Sequence, residues 1–341
     1  MQNWALQQAL KHLGHEPVTI MHQRASGRAS CLKYAFAQAC SDFLGINMPE
    51  GNGSPIILPA LMQEFIEVHI AQSPNMPVFT RKRLQELKLD AVIVGSDQVW
   101  RRGYNVLTQE MYLRFVRSMD IRRIAYAASF GNSDWNYPGW LTTLCRREIR
   151  RFNAVSCREH RGADFCHDYF GIDAKVVLDP TLLLDKVDYE ALCCDIERPV
   201  KPYLLAFVLD DNDTKRSFIE AEAHRLGLEV RYVFDSTRLT LSIPQWLAAF
   251  RDATFVITDS FHGTVFSIIF ERQFLTILNS ERGAARFDTL RQLFGIEKHI
   301  IDNLDSSSEI SNLPIVQFDE IKSHLHKFRK ESFEFLQNSL D

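Results

Sequence analysis

Residues 253–270, ATFVITDSFHGTVFSIIF, constrain the fold more than any other part of the chain. The apolar run at 253–257 is closed by Thr258-Asp259-Ser260-Phe261-His262-Gly263-Thr264, and a second apolar run follows at 265–270. That order reads as a buried strand, a tight polar turn and a buried helix. Open α/β sheets bind ligands in the crevice at the carboxyl ends of their strands, where the next helix presents unpaired N–H groups. Asp259 or Ser260 is placed to cap that helix, and Gly263 permits close packing. His262 falls on the first turn, where the positive helix end favours a neutral imidazole able to take a proton.

The same alternation runs through the chain. Helical spacing marks residues 4–13, ended by Gly14, and further stretches around 30–44 and 58–70. Strands are expected at 17–21, 90–94, 123–130, 154–157 and 175–178, several of them closed by Gly or Asp-Pro turns. In the second half, strands at 203–209, 229–234, 255–258 and 274–278 alternate with helices at 213–226, 244–251 and 263–270. A boundary is expected near 185–202, where Pro199 and Pro202 follow a polar stretch. The segment 318–340 places Ile321, Leu325, Phe328 and Phe335 on one helical face and so packs on the body. The expected domains are 1–185 (the acceptor side) and 186–317 (the donor side), with the helix of 318–341 packed against them. The fold class is α/β, with two Rossmann-like domains facing a cleft.

Composition excludes several alternatives. In 341 residues, 46% hydrophobic and 24% charged content are those of a globular chain. A net charge of −4 gives no general attraction for nucleic acid. The apolar runs are shorter than the ~18–20 residues a membrane span needs, and the N-terminus has no signal-like segment. Seven cysteines without C-x-x-C spacing read as reduced thiols of a cytoplasmic protein. The scattered histidines show no ligand spacing, so no metal site is expected.

Three other turns carry candidate residues. Gly95-Ser96-Asp97-Gln98 closes the strand at 90–94, with Asp97 as a helix cap or an acid/base group. Arg158-Glu159 follow the strand at 154–157 and read either as a structural ion pair or as a fork for a carboxylate or phosphate. Arg282-Gly283 and Arg286 follow the strand at 274–278 as an anion clamp or an ordinary surface loop. The arginines of 146–151 read as the wet face of a helix.

VGSDQVW at 94–100, RIAYAASFG at 123–131, SCRE at 156–159, VLDPTLLL at 177–184, FVITDSFHGTVFSIIF at 255–270, SERGAARF at 280–287 and LRQLFGIE at 290–297 occur in one order. Together they resemble the polysaccharide pyruvyl transferase family across nearly the whole chain. The resemblance implies a GT-B-like fold and transfer of a pyruvyl group from phosphoenolpyruvate to a sugar as a cyclic ketal. The acceptor would be a surface polysaccharide or its lipid-linked precursor, which would bring a cytoplasmic enzyme to the inner face of the membrane. It implies no cofactor beyond the donor. By motif match it places His262 and Arg158 in donor binding and chemistry. With the turns read above, the candidate set is His262, Asp97 and Arg158 for catalysis, and Gly95, Ser96, Gln98, Glu159, Asp259, Ser260, Gly263, Thr264, Arg282, Gly283 and Arg286 for substrate binding.

Two departures stand out. Some members carry Arg-Leu-His where this chain has Ser260-Phe261-His262, so Arg282 or Arg286 would have to stand in for that arginine. The chain also opens inside the helix that follows the family's first strand, so that strand is expected about 20–30 residues upstream, from the ~30-residue size of a βαβ unit. Two rivals stay open: a nucleotide-sugar glycosyltransferase of the same fold, and a truncated non-catalytic copy.

Overall fold

The structure, a computed structural model, describes residues 1–21, 60–76, 78–103, 108–233, 241–278, 284–302, 304, 310 and 313–341. The chain divides into two compact units, Met1–Pro180 with Glu331–Asp341, and Thr181–Lys330. Each is built on one parallel sheet with helices, an α/β architecture.

In the first unit the strands β1 (Ala91–Val94), β2 (Arg122–Ala128), β3 (Ala154–Cys157) and β4 (Lys175–Val176) pair in parallel in the order β1-β2-β3-β4. The helices are α1 (Gln2–His12), α2 (Ala60–His69), α3 (Arg81–Glu86), α4 (Gly139–Ile149) and α5 (His160–Phe165), the last running into a π turn at Cys166–Phe170. β2 is buried almost throughout, as a strand covered on both faces must be. Val92, Val94, Ala125 and Val155 join Trp100, Tyr112, Phe165 and Phe170 in the core.

The second unit holds β5 (Tyr203–Phe207), β6 (Glu229–Val233), β7 (Phe255–Thr258), β8 (Gln273–Ile277) and β9 (Ile300–Ile301). Its helices are α6 (Lys186–Leu192), α7 (Asp213–Leu226), α8 (Ile243–Asp252), α9 (Phe261–Ile269), α10 (Ala284–Phe294) and α11 (Phe318–Leu340), whose residues from Glu331 onward belong to the first unit. Asn212 caps α7 through Lys215 N–H and Gly227 ends it in the left-handed region, while a Ser242/Gln245 capping box opens α8. The parallel order β6-β5-β7-β8-β9 reverses direction between β5 and β7. That reversal is a topological switch point, and it puts the ends of β5 and β7 where a doubly wound sheet receives ligand.

Several sequence expectations are corrected. The strand expected at 17–21 is a single bridge, Thr19 to Gln72. The strand expected at 175–178 leaves the sheet after Val176, because Leu178 donates its N–H to Ser332 Oγ of α11 and accepts from Tyr126 Oη. β5 stops at Phe207 because the next amides turn to a side chain, described below. The helix expected at 263–270 begins two residues earlier, at Phe261. The helix expected around 30–44 lies outside the described residues.

His299, next to β9, is 6% exposed and its Nε2 lies 2.9 Å from the Pro314 carbonyl. Burial holds its imidazole below the ordinary value of 6.5. The unfolded chain therefore takes up a proton that the folded one refuses, so this contribution is complete above pH ~6.5 and is lost as the pH falls below it. The fall in melting temperature between about pH 7 and 5.5 is expected to be shallower in His299→Gln than in wild type. Equal slopes in thermal melts would remove His299 as a source of acid sensitivity.

Candidate functional site

At the switch point of the second unit, α9 starts directly from the end of β7. Gly263 makes this possible: a Cβ there would come within 2.1 Å of Thr258 Oγ1, on a strand residue that is itself fully buried. Thr258 Oγ1 in turn donates to the Phe207 carbonyl at 2.6 Å, tying the ends of β5 and β7 together. Thr264 sits one turn into the helix, where its Oγ1 pairs with Thr276 Oγ1 at 2.7 Å and donates to the Ser260 carbonyl. Gly263 and the Thr264 side chain thus pack against protein.

Asp259 does not cap the helix. Its side chain is fully buried, with Oδ1 accepting from Leu209 N–H at 2.6 Å and Oδ2 from Asp210 N–H at 3.1 Å. Lys215 Nζ of α7 completes the set at 2.6 Å from Oδ2 and also donates to the Asp210 carbonyl at 3.0 Å. Both carboxylate oxygens are bonded to Lys215 and the β5 turn, so Asp259 fastens one strand end to the next. Ser260 is the N-cap residue, and its side chain makes no capping bond either. The expected side-chain cap is therefore absent, because the acid that could supply it has been turned toward Lys215.

His262 is half-buried on the first turn of α9. Its ring meets Phe261 edge-on, 5.3 Å between centroids at 88°. The guanidinium of Arg286, from the first turn of α10, lies over the same Phe261 ring at 5.3 Å. The fold thus groups His262, Phe261 and Arg286 beside a helix N-terminus. Arg282 and Gly283 lie outside the described residues.

The first unit gathers its own candidates at the strand carboxyl ends. Gly95 has φ +130°, and a Cβ there would overlap the Tyr126 carbonyl at 1.9 Å, so only glycine lets β1 end against β2. No helix follows Asp97, which is exposed in a turn and therefore caps nothing. Its Oδ1 lies 3.7 Å from Arg158 Nη2. Arg158 is buried, with Nη1 donating to Asp179 Oδ2 at 2.7 Å. Burial alone would lower its guanidinium, but the carboxylates of Asp179, Glu159 and Asp97 outweigh that and hold it above its ordinary value.

Glu159 is buried, and its Oε1 accepts from Phe130 N–H at 3.0 Å. Glu159 Oε2 and Ser96 Oγ are buried with no hydrogen-bond partner among the described residues. Gln98 packs on Gly131 and accepts from Arg101. Sequence reasoning missed Asp179, Lys215 and Gln2, whose Nε2 donates to Asp179 Oδ2 at 2.7 Å. Asp179 carried a signal, an Asp-Pro pair closing a strand. Lys215 carried none, since it sits in an ordinary helical pattern.

The residues at these strand ends lie on two parallel-sheet α/β units, with a histidine opening α9 in one and an Arg–carboxylate cluster in the other. The profile of the polysaccharide pyruvyl transferase family matches residues 1–281, and the chain belongs to that family. No curated protein matches the sequence. Among solved structures, the chain is similar to Staphylococcus aureus MnaA with UDP, at 12% identity and TM-score 0.45, covering 98% of this chain and 87% of that one. It is also similar to the UDP-GlcNAc 2-epimerase of Methanocaldococcus jannaschii with UDP-GlcNAc and UDP, at 13% identity and TM-score 0.42, covering 92% and 98%. Among the described residues no helix is long and apolar enough to cross a membrane, and no three His, Cys, Asp or Glu side chains group as metal ligands.

Proposed function

We propose that this protein transfers a pyruvyl group from phosphoenolpyruvate to two hydroxyls of a sugar, as a cyclic ketal on a surface polysaccharide or its lipid-linked precursor. The observation that carries the reading is His262 on the first turn of α9 at the switch point, with Arg286 meeting the same Phe261 ring. Phosphoenolpyruvate brings a carboxylate and a phosphate, which Arg286 and the first N–H groups of α9 suit.

The step balances without a redox or organic cofactor. The methylene carbon gains a proton and becomes a methyl group. The two acceptor oxygens lose their protons and bond the central carbon, and the C–O bond to phosphate breaks with its electron pair on phosphate. One hydroxyl proton accounts for the methyl hydrogen and the other leaves with phosphate. His262 is the group that moves a proton at the donor.

In the first unit three carboxylates surround one guanidinium, so the cluster is net negative and suits a neutral polyol better than a second anion. Asp97, exposed there, is the carboxylate for an acceptor hydroxyl, and Arg158 holds Asp97 and Asp179 in place. Phosphoenolpyruvate is expected to raise the melting temperature saturably, by the equivalent of about 2.7 kcal/mol at a hundred times its Kd. Arg286→Ala should weaken the response. A rise with UDP- or GDP-sugars in its place would overturn the reading in favour of glycosyl transfer.

A further inference from the structure

We propose that Phe261 is a positioning residue of the donor site, whose ring fixes the guanidinium of Arg286 at the first turn of α9. The inference rests on the donor reading above and adds a residue whose apolar character would otherwise place it among the core. Phe261 is 4% exposed and is the first residue of α9. Among the described residues, three side chains meet its ring. Arg286 lies over it at 5.3 Å, His262 meets it edge-on at 5.3 Å, and Phe287 meets it at 6.0 Å and 74°. Arg286 and Phe287 are consecutive in α10, so that helix is held to the start of α9 by two neighbouring contacts to one ring.

Arg286 is 9% exposed. A guanidinium loses much hydration at such a position and stays there only with attractive partners. A ring face within about 6 Å supplies attraction through its quadrupole, more strongly as water is excluded. An aliphatic side chain at 261 would fill the same space without that attraction. Arginine has many rotamers, and the ring selects the one that lies over Phe261 before any ligand arrives. Such preorganisation is what an anion site needs to bind without first ordering a long side chain. Ser260 brings no cation to this turn, and Arg286 of α10 brings one to the face of Phe261.

The test is a double-mutant cycle of Phe261→Leu and Arg286→Ala, with Phe261→Met as a second ring-less variant should leucine unfold the protein. Two readouts are taken: phosphoenolpyruvate affinity, and the Arg286 Nε–H resonance in protein labelled at arginine with nitrogen-15. Phe261→Leu is expected to weaken the donor by roughly five- to tenfold and to abolish the ring-current displacement of the Arg286 signal. The double variant should bind no more weakly than Arg286→Ala alone, because Phe261 acts through Arg286. Additive losses, or an Arg286 signal unmoved by removal of the ring, would overturn the proposal. If wild type fails to bind phosphoenolpyruvate, the donor reading falls, and the Arg286 resonance still decides whether Phe261 places the arginine.

Discussion

Replacing His262 with alanine is expected to lower pyruvyl transfer by roughly 10²–10⁴-fold, the usual worth of a positioned acid–base group, with the fold intact. The turn does not depend on the imidazole: β7 and α9 are joined by Thr258, Gly263 and the Asp259 bonds, none of which His262 makes. Donor affinity should change little, because the proposed anion site is Arg286 and the helix N–H groups, not the imidazole. The loss should therefore appear in kcat, the signature of an interaction made mainly in the transition state. Steady-state kinetics with phosphoenolpyruvate and a sugar acceptor, alongside a thermal melt, check this. A variant keeping more than about a tenth of the wild-type rate would take His262 out of the proton-transfer role.

Lys215→Met is expected to cost about 3–5 kcal/mol of stability, as breaking one half of a buried ion pair usually does. The Asp259 side chain is fully buried and that of Lys215 is 11% exposed, so water can replace little of what the ammonium provides. The carboxylate would keep only the Leu209 and Asp210 amides. Adding Asp259→Asn should recover part of the loss by removing the uncompensated charge, though not all of it. An asparagine carbonyl accepts where its amide nitrogen cannot, so one of the two backbone amides loses its partner. Urea unfolding of the three proteins gives the comparison. A loss below about 1 kcal/mol in Lys215→Met would mean that the pair behaves as an exposed one, and that Asp259 does not fasten the two strand ends.

Asp259 and Arg158 show why a site is harder to read than a fold. Both were legible as residues at strand-end turns, because period and punctuation are local properties. Their partners were not. Asp259 faces Lys215, 44 residues away, and Arg158 faces Asp179, 21 residues away. A carboxylate beside an absent neighbour reads as a cap or a ligand. With its lysine and two amides in place it fastens two strand ends instead of capping the helix.

The strand at 17–21 failed for a related reason. A strand needs a second one to pair with, and among the described residues Thr19 makes a single bridge to Gln72. The sequence by itself determined the alternating α/β plan, the family, the turn that carries His262 and the glycines required there, because those depend on residue type and short spacing. Tertiary structure alone decided the order β6-β5-β7-β8-β9, the switch point, the burial of Asp259 against Lys215 and the placing of Arg286 over Phe261. Which strand lies beside which, and which charge meets which, is settled by packing between segments far apart in the chain, and local pattern carries no record of it.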